Sequence, residues 1–580
     1  MPHPNIQYRI SNIILFLILC LFFLPKIIFA QENNIYGIHL AQPHLEDLKK
    51  VKELVNSNGG DWGYVTLVIQ ENDRDKNKWQ GIFDLLRQYH LIPIIRLATK
   101  PEGDNWKRPK IEDISEWVSF LDSLNWVVKN RYVVLFNEPN HGSEWGGAVD
   151  PQDYGKVAFA FAKALKEKNK DFFLMLAGFD ASAPQLPPRY WDEEMFLREL
   201  FNINLSSFCA NFIECINNGL ISGWSSHSYP NPGFSGSPYD FGRGTIRNYQ
   251  WELELLKSLG VNKDLPVFIK ETGWQRDIRY SIFDIGKDKI AQNFKIAFEE
   301  VWSQDKRIKA VTPFVFDYQS EPFLGFSWKK FNEDDFYPQY YLIQSLPKQK
   351  GQPEQDEKGE IKFNLPNELV EQSDYSFKIS LKNLGQGYWD DKDYKLKIKN
   401  TSESLEFLSG HIGEIAPGEE KEVVIFLKTK SQGKEKISFV LEKNNQEILK
   451  SKDWYFDILA LPSLKFEVFY WPWGKGEGDD FEIQIFDWEE KLVFKEKGII
   501  VKNGMGIVSN IKNINLSDLY RVVLIKKGYL PRQVYYVFRP KDNLVKFKKL
   551  LPFDKNNDGK FDIKDVLTIF YSFTKLGKSL

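Results

Sequence analysis

The sequence has little of several features that mark particular protein classes. Its 580 residues include 77 Lys and Arg against 79 Asp and Glu, so the charges nearly cancel and no basic surface for nucleic acid is expected. It contains only 7 histidines and no His-Glu-x-x-His cluster, which argues against metal-dependent hydrolysis. We therefore expect no cofactor for catalysis and no nucleic-acid partner.

Cysteine is also scarce, with 3 in the whole chain. Cys20 lies in the apolar N-terminal segment, which leaves Cys209 and Cys215 for the mature protein. They fall in one predicted loop, and in an exported protein they are able to form a disulfide. The spacing alone leaves open whether they pair, because it does not give the geometry.

The N-terminus has the pattern of a signal peptide. Arg9 gives a positive start, Ile13 to Phe23 is apolar, and Ala30 is a small residue before the predicted cleavage at Gln31. The apolar stretch is short for a membrane crossing, and an uncleaved anchor is the alternative. We expect residues 1–30 to be removed and the mature protein to be secreted or held at the cell surface, without spanning a membrane.

From Asn34 to about Ser345 the pattern alternates between strands and helices. Eight predicted strands, the first at Tyr36–Leu40 and the last at Ala310–Asp317, alternate with segments of helical spacing. This alternation predicts a (β/α)8 TIM barrel for residues 31–347 of a multidomain chain. An open doubly wound sheet is the alternative, and the absence of a Gly-rich phosphate loop after the first strand weakens it.

Two of these strands end in a glutamate that is followed by a turn. The apolar run Val133–Phe136 stops at Asn137-Glu138-Pro139, because proline cannot extend a β-ladder. The run Val267–Ile269 ends in the same way at Lys270-Glu271-Thr272-Gly273. Strands four and seven lie nearly opposite each other in an eight-stranded ring, so both carboxylates can face one substrate. Paired carboxylates of this kind are the catalytic groups of glycoside hydrolases.

The two motifs resemble those of the retaining (β/α)8 glycoside hydrolases of clan A, which include cellulases, mannanases, xylosidases and β-galactanases. The resemblance rests on Asn-Glu-Pro in strand four and Glu-Thr-Gly-Trp in strand seven and covers residues 34 to about 345. It implies that Glu138 is the general acid/base and Glu271 the nucleophile of a double displacement. The partner it implies is a β-linked oligo- or polysaccharide.

The resemblance also implies substrate-binding positions near these glutamates. Asn137 would contact the sugar 2-hydroxyl, and Tyr229 on strand six would donate to Glu271 and keep it charged. His227 matches another frequent sugar-site position, and Arg96 near the end of strand three would orient the nucleophile. The alternative for His227 and Tyr229 is that Ser-His-Ser-Tyr-Pro only shapes a loop.

Strand eight departs from the resemblance. Many members of the clan carry a tryptophan there as the sugar platform, whereas this chain has Phe314-Val315-Phe316-Asp317. We therefore expect Trp274, Trp145 or Trp328 to serve as the platform. Core packing or loop anchoring is the alternative for these tryptophans.

Beyond the barrel the pattern changes. Residues 348–358 are rich in Gln, Glu, Lys and Gly, which is typical of a linker. Period-two strands then predict an antiparallel sandwich over residues 359–458, whose Leu381–Gly385 and Ile415–Glu419 resemble immunoglobulin-like modules appended to bacterial surface enzymes. A second β-rich domain, 459–547, contains Lys526–Leu530, which resembles the turn of transthyretin-like or carboxypeptidase-regulatory-like modules.

The last segment, residues 548–580, contains a calcium-loop pattern. Oxygen-bearing side chains stand at loop positions 1, 3, 5, 9 and 12 with glycine at position 6, and a backbone carbonyl would fill position 7. This spacing predicts a structural calcium (Ca2+) site, followed by a helix from Val566 to Phe573. The ligands would be Asp554, Asn556, Asp558, the carbonyl of Lys560, Asp562 and Asp565. A solvated Asn/Asp turn is the alternative.

Aspartate at the twelfth position of this loop resembles dockerin repeats. Dockerins carry two such repeats, whereas one is present here. A cohesin-like or cell-surface partner for this segment therefore stays open, while calcium binding is expected from the single loop.

Three classes of function remain open from the sequence. The first is a secreted retaining glycoside hydrolase with accessory β domains. The second is a non-catalytic barrel that holds polysaccharide, and the third is a surface adhesion protein that depends on the sandwich and the calcium loop. The joint presence of Asn137, Glu138, Tyr229 and Glu271 favours the enzyme.

Overall fold

The computed structural model describes residues 33–205, 208–276, 285–408 and 410–568. The signal peptide predicted at residues 1–30 lies outside these ranges, as does the end of the helix predicted from Val566 to Phe573. The chain divides into two compact units, residues 1–355 and 356–580. The helices within the described ranges include none that has both the length and the apolar character of a membrane span.

Eight parallel strands form the centre of the first unit. They are largely buried, as expected where helices cover the outside and side chains fill the inside. A short hairpin, β4 and β5, interrupts their succession. The strands are β1 (Gly37–Leu40), β2 (Gly63–Gln70), β3 (Leu91–Ala98), β4 (Pro101–Glu102), β5 (Asn105–Trp106), β6 (Arg131–Leu135), β7 (Phe172–Leu176), β8 (Trp224–His227), β9 (Val267–Glu271) and β10 (Ile308–Val311).

These eight strands close into a barrel at two seams. Hydrogen bonds order them as β1-β2-β3-β6-β7 in one sheet and β8-β9-β10 in the other. At one seam Tyr36 pairs in parallel with Val311. At the other, the N–H of Ser222 donates to the carbonyl of Leu174 at 2.8 Å. The sheet therefore has the (β/α)8 arrangement that the alternating pattern predicts, and it is not an open doubly wound sheet.

The helices of this unit begin and end at residues that satisfy free backbone groups. Asp75 accepts from two N–H groups at the start of one helix, Asp150 caps another that has Pro151 in its first turn, and Gly260 ends a third at φ +109°. The helices are α1 (Leu45–Val55), α2 (Lys76–Gln88), α3 (Ile114–Ser123), α4 (Pro151–Lys168), α5 (Glu193–Phe201), α6 (Phe212–Asn217), α7 (Asn248–Leu259), α8 (Lys287–Ile296) and α9 (Pro338–Ser345).

Cys209 and Cys215 form a disulfide, with their Cα atoms 5.3 Å apart. Cys215 belongs to α6 and Cys209 precedes it, so the bond closes a short loop between α5 and α6. Both cysteines are buried. The sequence spacing of the two cysteines leaves their pairing open, and the structure contains the disulfide.

The second unit consists of β-sheets. One pair of four-stranded sheets has the strand orders β11-β13-β16-β15 and β12-β18-β17-β14, and a seven-stranded sheet follows with the order β24-β23-β20-β21-β22-β19-β25. The strands are β11 (Gly359–Lys362), β12 (Glu368–Val370), β13 (Asp374–Asn383), β14 (Tyr394–Lys399), β15 (Leu405–Leu408), β16 (Glu420–Thr429), β17 (Gly433–Lys443), β18 (Gln446–Leu459), β19 (Leu464–Glu467), β20 (Gly478–Phe486), β21 (Leu492–Lys502), β22 (Met505–Val508), β23 (Leu519–Lys526), β24 (Tyr529–Val537) and β25 (Asn543–Lys546).

The sheets of this unit share one hydrophobic core. The two four-stranded sheets pack face to face, with the rings of Phe377 and Trp454 5.9 Å apart. Burial alternates along β13 and β16, which is the period-two pattern of a sheet with one buried face. The hydroxyl of Tyr375 donates to the carbonyl of Ile514 at 3.0 Å and so joins the sandwich to the seven-stranded part.

Most of the segment with linker composition, 348–358, has paired backbone. The N–H of Gly351 donates to the carbonyl of Asp61 at 2.9 Å, and the carbonyl of Glu354 accepts from Lys129 at 2.8 Å, both within the first unit. In the second unit the carbonyl of Lys358 accepts from Leu384 at 2.9 Å. The composition of such a segment shows that it has few apolar residues, but it does not show whether the backbone forms hydrogen bonds.

Two fully buried carboxyl groups lie beside β8. Glu193 of α5 and Glu252 of α7 are both 0 % exposed. Burial raises the pKa of each, and the contact with Glu252 raises that of Glu193 further. Two adjacent carboxylates in an apolar surrounding repel each other, so the pair keeps a proton at pH values where a free glutamate has lost it.

We expect this pair to make stability fall with rising pH. Its folded pKa lies above the unfolded value of about 4.3, so the native state binds more protons, and the free energy of unfolding decreases from that pH upward until the folded pKa is passed. One retained proton corresponds to about 1.4 kcal/mol per pH unit. Chemical denaturation at a series of pH values should give a flatter decline for Glu252→Gln, which removes one ionisable group and keeps the shape.

The matched control is Glu194→Gln, which changes the neighbouring residue, an exposed one that pairs with Arg198. It should leave the slope of stability against pH as in the wild type. Equal slopes for the wild type and Glu252→Gln would show that the pair ionises freely in the folded state.

Candidate active site

The C-terminal ends of the barrel strands surround a cavity of about 880 Å³. This is the end of a (β/α)8 barrel at which active sites occur. The cavity wall contains polar residues from β1, β3, β9 and the segments that follow β6 and β8, and it also contains aromatic residues. Among the lining residues are His39, Arg96, Asn137, Glu138, Tyr229, Glu271, Trp106, Phe314, Tyr318, Phe323 and Phe326.

The backbone after β6 turns sharply into the cavity. Phe136 and Glu138 have φ values of +73° and +28°, which residues other than glycine rarely adopt. The N–H of Glu138 donates to the carbonyl of Gly178 at 3.1 Å and holds the turn. Strained residues of this kind cluster at functional sites. The Asn-Glu-Pro sequence therefore ends the strand as predicted and brings the Glu138 side chain to the cavity wall.

His227 bridges the two glutamates. Its Nδ1 lies 2.7 Å from Glu138 Oε1, and its Nε2 lies 3.8 Å from Glu271 Oε1. One carboxylate oxygen of each glutamate and one His227 nitrogen all lie within 4.8 Å of one another. The ring is buried against Gly178, where a Cβ would lie 2.2 Å from His227 Cδ2. Only glycine at residue 178 leaves room for this histidine.

Glu271 is 7 % exposed and has several polar neighbours. Lys270 Nζ lies 2.9 Å from its Oε1, the Tyr229 hydroxyl donates to its Oε2 at 3.3 Å, and His39 Nε2 lies 3.6 Å from Oε1. Burial alone would raise the pKa of Glu271, yet the electrostatic influence of His227, Lys270 and Arg96 holds that pKa well below its ordinary value. Glu271 is therefore a carboxylate at neutral pH.

Burial lowers the pKa of His39 to about 3, so this histidine is neutral at neutral pH. Arg96 lies on the cavity wall, where its positive charge helps to keep Glu271 ionised. Among the described residues it forms no hydrogen bond or ion pair with Glu271. In this structure Arg96 therefore acts on Glu271, the predicted nucleophile, through its charge across the cavity and without a direct contact.

Asn137 is held by a residue that the sequence analysis did not single out. The Nζ of Lys270, fully buried in β9, donates to Asn137 Oδ1 at 2.9 Å as well as to Glu271. A lysine in an apolar strand, one residue before a strand-end glutamate, was a visible signal. The role of Lys270 depends on its contact with Asn137 across the barrel, and the sequence pattern does not identify that contact.

Glu138, His227 and Glu271 are close enough to hold a metal ion, and they form the one such group among the described residues. The Lys270 ammonium already lies 2.9 Å from the Glu271 oxygen that a cation would need. A second positive charge there would repel the first, so we assign no metal to this group.

The tryptophans predicted as sugar platforms do not line the cavity. Trp145 and Trp274 are 0 % and 2 % exposed, and Trp328 is buried as well. Trp145 Nε1 donates to Asp153 at 2.9 Å and Trp274 Nε1 donates to the carbonyl of Gly236 at 2.8 Å, so both anchor loops. The alternative of packing and anchoring therefore describes their place in the structure.

Other aromatic residues line the cavity instead. Trp106 at the end of the β4–β5 hairpin and Phe314 after β10 are partly exposed on its wall. Phe314 contacts Phe323 and Phe326, with ring centroids 5.3 Å and 5.9 Å apart. The sequence offered no periodic signal for Trp106, because the hairpin that carries it is two residues long on each side.

Another acidic residue besides Glu138 and Glu271 lies at the cavity wall. Glu144 lines the cavity, and burial raises its pKa to about 7, partly offset by Arg96. His141 Nε2 lies 2.8 Å from Asp180 Oδ2, and the pair lies on the same wall. The cavity thus offers both fixed charges and one carboxyl group that titrates near neutral pH.

No protein-family model matches the chain, and no curated protein matches it. Solved structures with a similar fold include an endo-β-1,4-glucanase from Xanthomonas axonopodis pv. citri, with 11% identity over 54% of this chain and 97% of that chain and a TM-score of 0.34. A glucosidase from Croceicoccus marinus matches with 10% identity over 83% and 94% and a TM-score of 0.36.

An FMN-binding β-glucuronidase from Facaelibacterium prausnitzii L2-6 matches with 10% identity, 74% of this chain and a TM-score of 0.34, but over only 56% of its own length. These three proteins are described as an endo-β-1,4-glucanase, a glucosidase and a β-glucuronidase. At such identities and TM-scores the matches carry no argument about the activity of this chain, so the function proposed below rests on the geometry of the cavity.

The different surroundings of Glu144 and Glu271 predict different titrations. In carbon-13 NMR of protein labelled at the glutamate carboxyl, we expect one resonance to titrate near pH 7 and to vanish in Glu144→Gln. The Glu271 resonance, assigned with Glu271→Gln, should keep its ionised shift down to pH values below the ordinary range. A Glu271 resonance that titrates above Glu144 would contradict this order.

Proposed function

We propose that the chain is a retaining glycoside hydrolase that acts on β-linked glycans. The observation that carries this proposal is the approach of one Glu138 oxygen and one Glu271 oxygen to within 4.8 Å at the ends of two barrel strands. Retaining enzymes keep their carboxyl groups about 5 to 5.5 Å apart, whereas inverting enzymes need about 6.5 to 9.5 Å to admit a water. The short separation favours direct attack by one carboxylate.

In the first step Glu271 attacks the anomeric carbon. The glycosidic C–O bond breaks, its electron pair passes to the leaving oxygen, and Glu138 protonates that oxygen. Glu271 suits the attack because its pKa is held below the ordinary range and it stays ionised. Glu138 is placed for the proton transfer by the turn after β6 and by the contact of its Oε1 with His227 Nδ1 at 2.7 Å.

In the second step a water attacks the same carbon. Glu138, now deprotonated, takes a proton from that water, and the bond between the sugar and Glu271 breaks with its electron pair returning to the carboxylate. Two inversions at one carbon leave the original configuration. Asn137 would bond the 2-hydroxyl, an interaction that strengthens as positive charge develops on the ring.

The cavity also has the mixed chemistry that a sugar ring requires. Trp106, Phe314 and Phe326 offer apolar ring surfaces on the wall, and a pyranose has an apolar C–H face. Asp180, Glu144 and His141 offer hydrogen-bonding groups for its hydroxyls. We take β-linked oligo- or polysaccharides as the substrate class.

A screen of nitrophenyl β-glycosides and β-linked polysaccharides tests the proposal. The expected result is turnover of at least one substrate, with the first-formed product in the β configuration by proton NMR. A product of inverted configuration would exclude double displacement. Binding without turnover would identify the alternative, a non-catalytic barrel that holds polysaccharide.

Substitution of Glu271 and substitution of Glu138 should impair hydrolysis in different ways. Glu271→Gly removes the nucleophile, so we expect a loss on the order of 10⁴-fold or more in kcat, with partial rescue by azide and an inverted azide product. Glu138→Ala should spare substrates with good leaving groups, which need little protonation. Stopped-flow and product NMR measure both.

Glu167→Gln, a change in α4 on the outside of the barrel, is the control and should retain wild-type kinetics. Rescue of both catalytic variants with the same anomeric product would show that the roles of Glu138 and Glu271 are assigned wrongly.

We further propose that the protein is exported and acts outside the cell or at its surface. The signal-peptide pattern of residues 1–30 supports this, and so does the Cys209–Cys215 bond, because disulfides persist in oxidising compartments. Detection of the mature N-terminus at Gln31 by mass spectrometry would test it.

The loop from Asp554 to Asp565 is proposed to bind calcium as a structural ion. Asp554, at the first position, is 4 % exposed and its Oδ1 is buried without a hydrogen-bond partner, which a cation would satisfy. The loop is already bent: Gly559 N donates to Asp554 Oδ2 at 3.1 Å, and Asp565 accepts from Lys555 and Asp562. The loop supplies the kinds of oxygen that calcium prefers, although its carboxylates do not converge within 4.8 Å in this structure, and Asp565 would be shared between the ion and the backbone.

We expect a chelator to destabilise the C-terminal unit and leave hydrolysis of a small glycoside almost unchanged, because the predicted ligands all lie beyond residue 553. Differential scanning calorimetry with and without chelator measures the stability of the second unit. An activity assay under the same two conditions measures the hydrolysis of the small glycoside. Asp554→Ala should reproduce the chelator effect, and Asp479→Ala, which changes an exposed aspartate outside the loop, should not. Loss of activity on chelation would place a required metal in the barrel.

A further inference from the structure

The two reaction steps above use Lys270 only as a positive charge beside Glu271 and leave its contact with Asn137 unused. The Lys270 side chain is fully buried, and its Nζ donates at 2.9 Å both to Asn137 Oδ1 and to Glu271 Oε1. An ammonium group has donors only. The amide of Asn137 must therefore turn its oxygen toward Lys270, which directs its other end, Nδ2, elsewhere.

Asn137 Nδ2 has no hydrogen-bond partner among the described residues, and Asn137 lines the cavity. The free group is thus a donor at the wall where the substrate would lie. Without Lys270 the amide could take either orientation, because its two ends have nearly the same shape.

We propose that Lys270 is a positioning residue that fixes Asn137 as a hydrogen-bond donor to the sugar and holds Glu271 Oε1 out of the attack. This inference rests on the proposed function and gives the reason why Asn137 would present its donor end to the 2-hydroxyl. The sugar must carry a hydrogen-bond acceptor beside the anomeric carbon, such as a 2-hydroxyl oxygen. A 2-deoxy sugar lacks that acceptor and forfeits the contact.

The same contact gives Lys270 an effect on the second step. Tyr229 donates to Oε2 at the longer distance of 3.3 Å, so Oε2 is the oxygen left for attack. Once Oε2 is bonded to the sugar, Glu271 is a neutral ester and Lys270 faces no carboxylate charge. Attack of water breaks that ester bond and returns the electron pair to Glu271, which restores the ion pair with Lys270. The ammonium therefore favours release of the sugar.

A purely structural lysine would behave differently, and the barrel contains one for comparison. Lys348 is 8 % exposed, and its Nζ donates to Ser57 Oγ and to the backbone carbonyls of Ile343, Gln344 and Leu346. It does not line the cavity. Lys348→Met is therefore the matched control for Lys270→Met, because it also removes a buried ammonium that donates to protein oxygens.

The experiment compares kcat/KM for a nitrophenyl β-glycoside of the hydrolysed sugar and for its 2-deoxy analogue. The wild type should prefer the 2-hydroxy substrate by about tenfold or more. Lys270→Met and Asn137→Ala should both lose this preference. Lys348→Met should melt at a lower temperature and keep the preference.

The effect on the second step is measured in the same assay by stopped flow. Lys270→Met should release a burst of nitrophenol before the steady state, because the glycosyl-enzyme accumulates when its breakdown slows. Lys270→Gln separates the two roles, since it keeps a donor for Asn137 without the charge. It should retain the 2-hydroxy preference and show the burst.

Several results would overturn the inference. If Lys270→Met keeps the wild-type preference and shows no burst, Lys270 is a structural lysine. If Lys270→Met does not fold, Lys270→Gln decides, and the absence of a burst in it removes the role in sugar release. If the wild type hydrolyses glycosides without preferring a 2-hydroxyl, the Lys270 inference alone is wrong. If the wild type hydrolyses no glycoside, the proposed function is wrong and the inference falls with it.

Discussion

Keeping a carboxylate charged inside the mouth of a barrel is the constraint on which the rest of this site depends. A buried carboxylate without partners would take up a proton and stop being a nucleophile. Glu271 avoids this because Lys270 of β9, His227 of β8 and Tyr229 in the turn after β8 converge on it. These partners come from neighbouring parallel strands, so the burial of the charge depends on the arrangement of the barrel.

The backbone around the site also adopts uncommon conformations that this arrangement requires. His227 can bridge both glutamates only because residue 178 has no side chain, and Glu138 reaches the wall through a turn with two positive φ values. Such conformations are stabilised by the surrounding barrel rather than by the residues that adopt them. The site therefore draws on the stability of the whole first unit.

Local patterns predicted the barrel strands and the strand-end glutamates, because an apolar run that ends at Asn137-Glu138-Pro139 is a short-range signal. Tertiary contacts were beyond those patterns. Trp145 and Trp274 were expected at the sugar site, but their indoles anchor loops through Asp153 and the carbonyl of Gly236, and the sequence pattern does not identify these partners. Lys270 and Trp106 were missed for the same reason: their roles depend on which strand or hairpin lies across the cavity.

The single hydrophobic core of the second unit limits how this part of the chain can be exchanged in evolution. Modules that fold alone can be gained or lost as cassettes, with a clean boundary between them. Here Tyr375 of the sandwich bonds to Ile514, and Ser373 accepts from Asn513, so a break near residue 459 would strip partners from both sides. Recombination that keeps residues 356–568 together preserves these pairs, and we expect relatives of this unit to have been inherited as one block.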